Sequence, residues 1–303
     1  MRYAPPGTLA ALLTGLLTVA GLAAQRTPQE QMPETPSVKF SIQSQLVEVY
    51  LTVTKGKQLV PRLRASDFEI KEDGIPVTID RLDSQEVPLQ IVLLVDTSES
   101  VQDSLGTIQD AAAAFVEGLH SDDRVTLALF NSDVRAFPQT TEDREPILKA
   151  IRNARARGMT RLYEALMLGM QYLDGKRGRK AIVCFTDGED TAGTHSRLDV
   201  LNAAARSGYP VYAIGAGAGL ALSSLQMILR EFAEINGGKA LFIQSLRKLR
   251  EAFAEVGSEL RSAYVLNYYT RIPPDGKWHE LSVTTKDPAC TVYSRKGFFA
   301  RNP

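Results

Sequence analysis

Hydrophobic positions along the chain change their period twice. From Val38 to about Val87 they alternate with polar ones, as Val38, Phe40 and Ile42, then Val47, Val49, Leu51 and Val53, and later Phe68, Ile70, Val77 and Ile79. That is the period of half-buried strands. Lys55-Gly56-Lys57 and Asp73-Gly74 supply turns between them, and Asp-Gly between alternating segments is a strong hairpin signal. From Pro88 the texture becomes a short continuous apolar run followed by a helical stretch, repeated to about Ala263. Strands are expected at Leu89 to Val95, Arg124 to Phe130, Ala181 to Phe185, Val211 to Ile214 and Ala240 to Ile243. Between them Val101, Leu105, Ile108, Ala112, Phe115 and Leu119 step by four and three, as do Leu246, Leu249, Phe253, Val256 and Leu260, which places each set on one helix face. The alternation predicts an α/β domain over 88–263, with a doubly wound, mainly parallel sheet.

After Tyr264 the period returns to two, through Tyr264, Leu266 and Tyr268, a Pro274-Asp275-Gly276 turn, then Leu281, Val283, Thr285 and Val292. Each flank carries too few strands for an independent sheet domain, so 38–87 and 264–303 are expected to pair into one β-sandwich.

Ahead of these segments Arg2 precedes an uncharged run from Thr8 to Ala24 that ends in small residues. Residues 1–24 read as a secretory signal peptide cleaved near Ala23 or Ala24. The run is close to the minimum length of a membrane span, so an uncleaved N-terminal anchor is the alternative. Residues 25–37, with Pro28, Pro33 and Pro36 among Gln, Glu and Thr, read as an extended linker. No later apolar stretch is long enough to span a bilayer. The mature chain is therefore expected to be exported, periplasmic or extracellular, without a membrane span.

Composition narrows the classes further. The chain has 303 residues, 44% hydrophobic and 23% charged, which excludes a disordered chain and a polytopic membrane protein. Its 35 basic and 35 acidic residues give a formal net charge of zero, so no global field gathers nucleic acid, and none is expected as a partner. Two cysteines, Cys184 and Cys290, are too few for a thiolate zinc site. Cys184 falls inside a strand expected to be buried on both faces, so it is read as a free thiol.

Three short motifs stand where a loop leaves a strand or enters a helix. Asp96-Thr97-Ser98-Glu99-Ser100 ends the first α/β strand, Gly158-Met159-Thr160-Arg161 opens an apolar helix, and Thr186-Asp187-Gly188 follows the strand AIVCF. Each alone has a local reading. Ser100 with Asp103 fits a capping box, Asp96 or Ser98 could cap the same helix, Thr160 could cap the next, and Asp187-Gly188 could be a turn. In this order the motifs resemble the von Willebrand factor A family, over about 88–263. The resemblance implies a metal-ion-dependent adhesion site formed by Asp96, Ser98, Ser100, Thr160 and Asp187, the hydroxyls binding the ion directly and the aspartates partly through water. Ala65-Ser66-Asp67-Phe68 and Arg295-Lys296-Gly297-Phe298 are similar to stretches of a bacterial exported subgroup of such proteins. Physical chemistry agrees with this placement. Loops at the carboxyl ends of neighbouring strands converge where strand order reverses, and two carboxylates with three hydroxyls suit Mg²⁺ or Mn²⁺ better than calcium.

The function expected is therefore a non-enzymatic binding module whose ion captures an Asp or Glu carboxylate of a protein partner. A structural or assembly module, its site engaged by its own or a neighbouring subunit, is the alternative, and a metal-dependent hydrolase is a third reading. The third lacks a G-x-S-x-G elbow near Ser98, an H-E-x-x-H pair and a phosphate loop. His120, His195 and His279 are expected on the surface or in loops. Asp96 is expected at an exposed strand end, and Glu189 and Asp190 in a solvated acidic loop. Arg152, Arg155, Arg157 and Arg161, and the run Lys176, Arg177, Arg179 and Lys180, are read as solvated. Arg161, next to Thr160, could reinforce selection of a carboxylate.

Overall fold

The computed structural model describes residues 45–84, 87–139, 142–216 and 223–300. The signal and linker segments and the strand expected around Val38 to Ile42 lie outside the described residues. The first flank forms β1 (Gln45–Lys55), β2 (Gln58–Leu59), β3 (Phe68–Glu72), β4 (Ile75–Val77) and β5 (Arg81–Asp83). Its alternation is expressed directly, since Val47, Val49, Leu51 and Val53 are all buried. Asp73 and Gly74 have φ of +48° and +80°, the paired positive values that a two-residue hairpin between β3 and β4 requires.

The α/β layer follows as β6 (Leu89–Asp96), α1 (Leu105–Glu117), β7 (Arg124–Phe130), β8 (Val134–Pro138), α2 (Glu145–Arg152), α3 (Leu162–Leu173), β9 (Arg179–Thr186), α4 (Arg197–Ser207), β10 (Val211–Ala216), α5 (Ser223–Glu234), β11 (Lys239–Ile243) and α6 (Leu249–Ser262). The sheet order is β11-β10-β9-β6-β7-β8. All neighbours are parallel except β8, which runs antiparallel to β7 at the edge. The sequence pattern did not reveal β8. Side chains alternate between the two faces. Ile91, Leu93 and Val95 of β6 pack with α1, α2 and α6, while Val92 and Leu94 pack with α3, α4 and α5. Cys184 lies on the second of these faces as a buried free thiol. The first helical stripe is split, because Glu99–Ser104 forms a 3₁₀ turn that carries Val101 into the core ahead of α1.

The second flank forms β12 (Tyr264–Thr270), β13 (Trp278–Thr285), β14 (Cys290–Ser294) and β15 (Gly297–Phe299). Strands from both flanks join in two sheets, one ordered β14-β1-β12-β5 with β2 on β1, the other β15-β13-β3-β4. Val49 stands opposite Leu266 and Ile70 opposite Val283. Val49, Leu51, Phe68, Tyr268, Leu281 and Phe298 share the core between the sheets. The two flanks thus build one sandwich, as their pattern predicts.

Half of the second basic run is not solvated. Arg179 and Lys180 are 4% and 6% exposed. The Arg179 guanidinium donates to the carbonyls of Val87, Leu260 and Ala263 at 2.9 to 3.1 Å. Lys180 donates to Glu48 of β1 at 3.1 Å. Two cations at the start of β9 therefore fasten the sheet to the end of α6 and to the sandwich. The subgroup signatures are structural as well. Phe68 packs edge-on against Tyr264 with centroids 5.7 Å apart. Buried Arg295 donates to Gly297 O at 2.6 Å and to Ala205 O at 3.3 Å, tying the chain's last strands to the end of α4.

Among the histidines, His120 and His195 lie in loops, but His279 is enclosed on β13 with 13% of its side chain exposed. Its ring nitrogens meet Asp73 at 2.8 Å and Asp275 at 3.2 Å. Burial acts to lower the His279 pKa, and the bonds to the two carboxylates outweigh it, leaving it raised above 6.5. Asp73 is held below the ordinary carboxylate range, mainly by His279, and Asp275 mainly by the Lys277 N–H.

Replacing Arg179 with Met leaves three carbonyls without their donor, and a loss of about 3 kcal/mol in urea unfolding is expected. Arg177→Ala, at an exposed position, should stay within about 0.5 kcal/mol. The His279 contact carries a pH signature. A raised imidazole pKa gives stability that is complete below about pH 6.5 and is lost as pH rises through the folded value, whereas the lowered carboxylates lose theirs as pH falls below about 4. The stability gap between wild type and His279→Gln should therefore be widest near about pH 5.5 and narrow toward about pH 9. Denaturation at a series of pH values measures it, and a gap that widens with pH would contradict the assignment.

Candidate metal centre

Pairing of β6 with β7 on one side and β9 on the other brings three loops to one end of the sheet. Asp96 is the last residue of β6, and Thr186 the last of β9. Asp96 is not exposed. It has 0% accessibility, its Oδ1 accepts the Ser98 N–H at 2.8 Å, and its Oδ2 accepts the Thr186 hydroxyl at 2.7 Å. The reason is that the loop after β6 folds back over the strand end, with the Thr97 N–H bonded to Phe130 O at 2.7 Å. Beyond it the Ser98 and Ser100 hydroxyls lie 2.9 Å apart, and Ser100 donates to Asp187 Oδ1 at 2.6 Å. The oxygen donors form a continuous line from buried Asp96 through Ser98 to exposed Ser100 and half-buried Asp187.

Thr160 arrives on a third loop. The N–H groups of Glu99 and Arg157 donate to Gly158 O and Thr97 O, both at 2.9 Å, which laces the two loops together. Gly158 has φ +70°, and a Cβ there would come within 2.4 Å of Ser132 Oγ, so only glycine permits this passage. The Thr160 hydroxyl lies on the Gly188 side, 3.7 Å from where a Gly188 Cβ would stand. All five residues named from sequence are therefore at one end of the sheet. The local capping readings do not describe them. Ser98 and Ser104, the residues ahead of the 3₁₀ turn and of α1, make no side-chain cap bond, nor does Arg161 ahead of α3.

Electrostatics of the site are dominated by burial. It pushes the Asp96 carboxyl up to about 6, against the hydrogen bonds from Ser98 and Thr186, and Asp187 adds to the rise. Asp187 is raised for the same first reason. Neither carboxylate is paired with a cationic side chain among the described residues. A buried anion without a counter-charge is costly, and a divalent cation at the adjacent hydroxyls would supply one. Among the described residues no three His, Cys, Asp or Glu side chains gather as a metal cluster, so an ion here is matched by two carboxylates and hydroxyls, a hard and weakly anionic donor set.

Neighbouring acids prove to be positioning groups. Asp190 is half-buried and accepts the Tyr163 N–H at 3.0 Å and the Gly193 N–H at 2.8 Å, and so caps the first turn of α3 from another loop. Glu189 accepts the Ser224 hydroxyl at the start of α5. Glu164 accepts from Thr194 and the His195 N–H. Burial opposes ionisation of Glu164, yet those bonds hold it down at about 2. Arg161 Nε is buried without a partner. Sequence reading missed Thr186 as a partner of Asp96. The one signal for it was its place at the end of a strand adjacent to β6.

Residues 90–255, more than half of the chain, match the family model of the von Willebrand factor type A domain. The chain belongs to the von Willebrand factor type A family. A solved von Willebrand factor type A protein from Catenulispora acidiphila superposes with a TM-score of 0.52 at 13% identity, covering 82% of this chain and 75% of that one. It shares the fold of this von Willebrand factor type A chain. Among curated proteins, inter-alpha-trypsin inhibitor heavy chain H3 of Bos taurus is 26% identical over 163 residues, 48% of this chain and 18% of its own length. The uncharacterized protein sll0103 of Synechocystis sp. is 32% identical over 118 residues, 37% of this chain and 28% of its own length. The chain thus spans less than a third of either curated relative. Among its described residues, no helix is long and apolar enough to cross a membrane.

Removing the Asp190 carboxylate should unfasten α3 from the Asp187 loop. Asp190→Ala is expected to cost about 1–2 kcal/mol, the range of a lost helix cap, while Asp190→Asn, which keeps an acceptor, should recover most of it. Thermal unfolding of the two variants side by side tests the capping role.

Proposed function

We propose that this chain is an exported, non-enzymatic binding protein in which Asp96, Ser98, Ser100, Thr160 and Asp187 hold a divalent cation, Mg²⁺ or Mn²⁺. The reading rests above all on the line of oxygens from Asp96 through Ser98 and Ser100 to Asp187, in which a fully buried carboxylate meets no cationic side chain among the described residues. Modules of this family are generally interaction modules, often metal-dependent. When bound, the ion would supply Lewis acidity and an exchangeable position that an Asp or Glu carboxylate of a protein partner fills. The protein's own residues provide the rest. Thr186 and the Ser98 N–H orient Asp96, the bonds from the 157–158 loop hold Thr160 in place, and Asp190 fixes the helix behind it. Weakly anionic ligands leave the ion's charge incompletely neutralised, which favours an anionic partner over a neutral one. Export is supported by the signal-like pattern of residues 1–24.

The decisive measurement is thermal unfolding with chelator and with Mg²⁺. An ion that binds only the native state adds about 2.7 kcal/mol at a hundredfold excess over its Kd. Asp96→Asn and Thr160→Val should lose that increment, whereas Asp190→Asn should keep it. In chelator, Asp96→Asn is expected to be at least as stable as wild type, because it removes a buried charge and keeps an acceptor for the Ser98 N–H. Equal Mg²⁺ responses in wild type and Asp96→Asn would refute the metal assignment.

A further inference from the structure

A cleft of about 500 Å³ opens where β7 and β8 meet α2, beside the proposed metal centre. Thr97, which stands between Asp96 and Ser98, forms part of its wall. Because the Arg157 N–H is bonded to Thr97 O at 2.9 Å, cleft and centre share one stretch of backbone. The wall carries four cations, Arg135, Lys149, Arg155 and Arg157, against a single carboxylate, Asp133. All four are exposed. Their engagement differs. Arg135 pairs with Asp133 at 3.4 Å, and Arg155 donates to the carbonyls of Asn153 and Ala154 in its own loop. Lys149 and Arg157 have no side-chain partner among the described residues. Phe137 adds apolar wall on which side-chain methylenes can rest.

We infer that this cleft is a second recognition element, and that it takes an acidic segment of a protein partner whose neighbouring carboxylate sits at the metal centre. Three observations carry it. The cleft holds a local excess of positive charge in a chain of zero formal net charge. Two of its cations have no side-chain partner among the described residues, so a ligand anion need not displace one there. Its wall is continuous with the loop that bears Asp96 and Ser98. The proposed occupant is therefore a run of Asp or Glu residues, one held at the centre and the next ones beside Lys149 and Arg157. The inference rests on the metal reading for its first carboxylate only. Charge complementarity of this kind sets partner choice and on-rate more than raw affinity.

The test uses the full chain and two fluorescent Gly/Ser peptides, one with a single Asp and one with a run of Asp, each in Mg²⁺ and in chelator. Wild type should bind the Asp-run peptide about fivefold more tightly than the single-Asp peptide, the sum expected of two exposed ion pairs. That preference should fade at high salt. Lys149→Glu combined with Arg157→Glu should abolish it, and the corresponding double Ala variant should reduce it, with unfolding curves confirming intact folds. Equal binding of both peptides by wild type, or an unchanged preference in the charge-reversed protein, overturns the inference. So does single-stranded RNA that binds through Lys149 and Arg157 when the Asp-run peptide does not. Mg²⁺-induced stabilisation, read on the same samples, keeps the two readings apart. If Mg²⁺ stabilises wild type and no preference appears, only the cleft assignment fails. A charge-dependent preference without any Mg²⁺ response supports the cleft and removes the metal.

Discussion

Parallel pairing of β6 with β9 is the constraint on which the remaining architecture depends. Their register sets Val95 beside Phe185, so the last residues of the two strands, Asp96 and Thr186, meet at one end and bond at 2.7 Å. At the other end the same register places Leu89 beside Arg179, where the guanidinium gathers three carbonyls, one ahead of β6 and two at the end of α6. One strand, β9, therefore carries the oxygen-rich end of the molecule at its carboxyl terminus and the cationic fastener at its amino terminus. A slip of one residue would turn every side chain of β9 to the opposite face. It would remove Thr186 from Asp96 and Arg179 from its carbonyls together.

The sandwich and the α/β layer are joined by buried charge as well as by apolar packing. Tyr50 and Val265 of the sandwich pack in the same cluster as Val92, Leu94 and Tyr209, and Lys180 reaches Glu48 beside them. Such contacts are unforgiving, because an unpaired buried cation is far more costly than an unpaired apolar side chain. The stretch around Arg295 belongs to this fastening, and Phe68 belongs to the core of the sandwich.

What could be read from sequence followed from how local each signal is. The five parallel strands of the α/β layer, the Asp73-Gly74 hairpin and the order of the site motifs all depend on short-range pattern. β8 was not legible, because Val134–Pro138 is short and contains Arg135 and Pro138, and its antiparallel pairing is a property of a sheet edge. The burial of Arg179 and Lys180 was also hidden. A run of four cations reads as solvated, and only the assembled carbonyls of Val87, Leu260 and Ala263 make the interior hospitable to one of them. Asp96 was misjudged for a related reason. A strand end is exposed until a following loop covers it, and here the Thr97–Phe130 bond does so. Asp190 and Glu164 act across loops separated by about thirty residues, beyond the reach of any local capping pattern.

The strand arrangement of the sandwich also imposes an order on folding. Apart from the two residues of β2, the partners of β1 are β12 and β14, so Leu51 must find Tyr264 and Ser294, contacts of long sequence separation that close slowly. Until the last strands are available, an eleven-residue, alternately apolar strand waits with its edges unpaired except where β2 meets Thr54 and Lys55. Such an edge is a template for pairing with other chains. Glu48 within β1 and Lys55 at its end place charge on that waiting strand, where it opposes association during the interval before the sandwich closes.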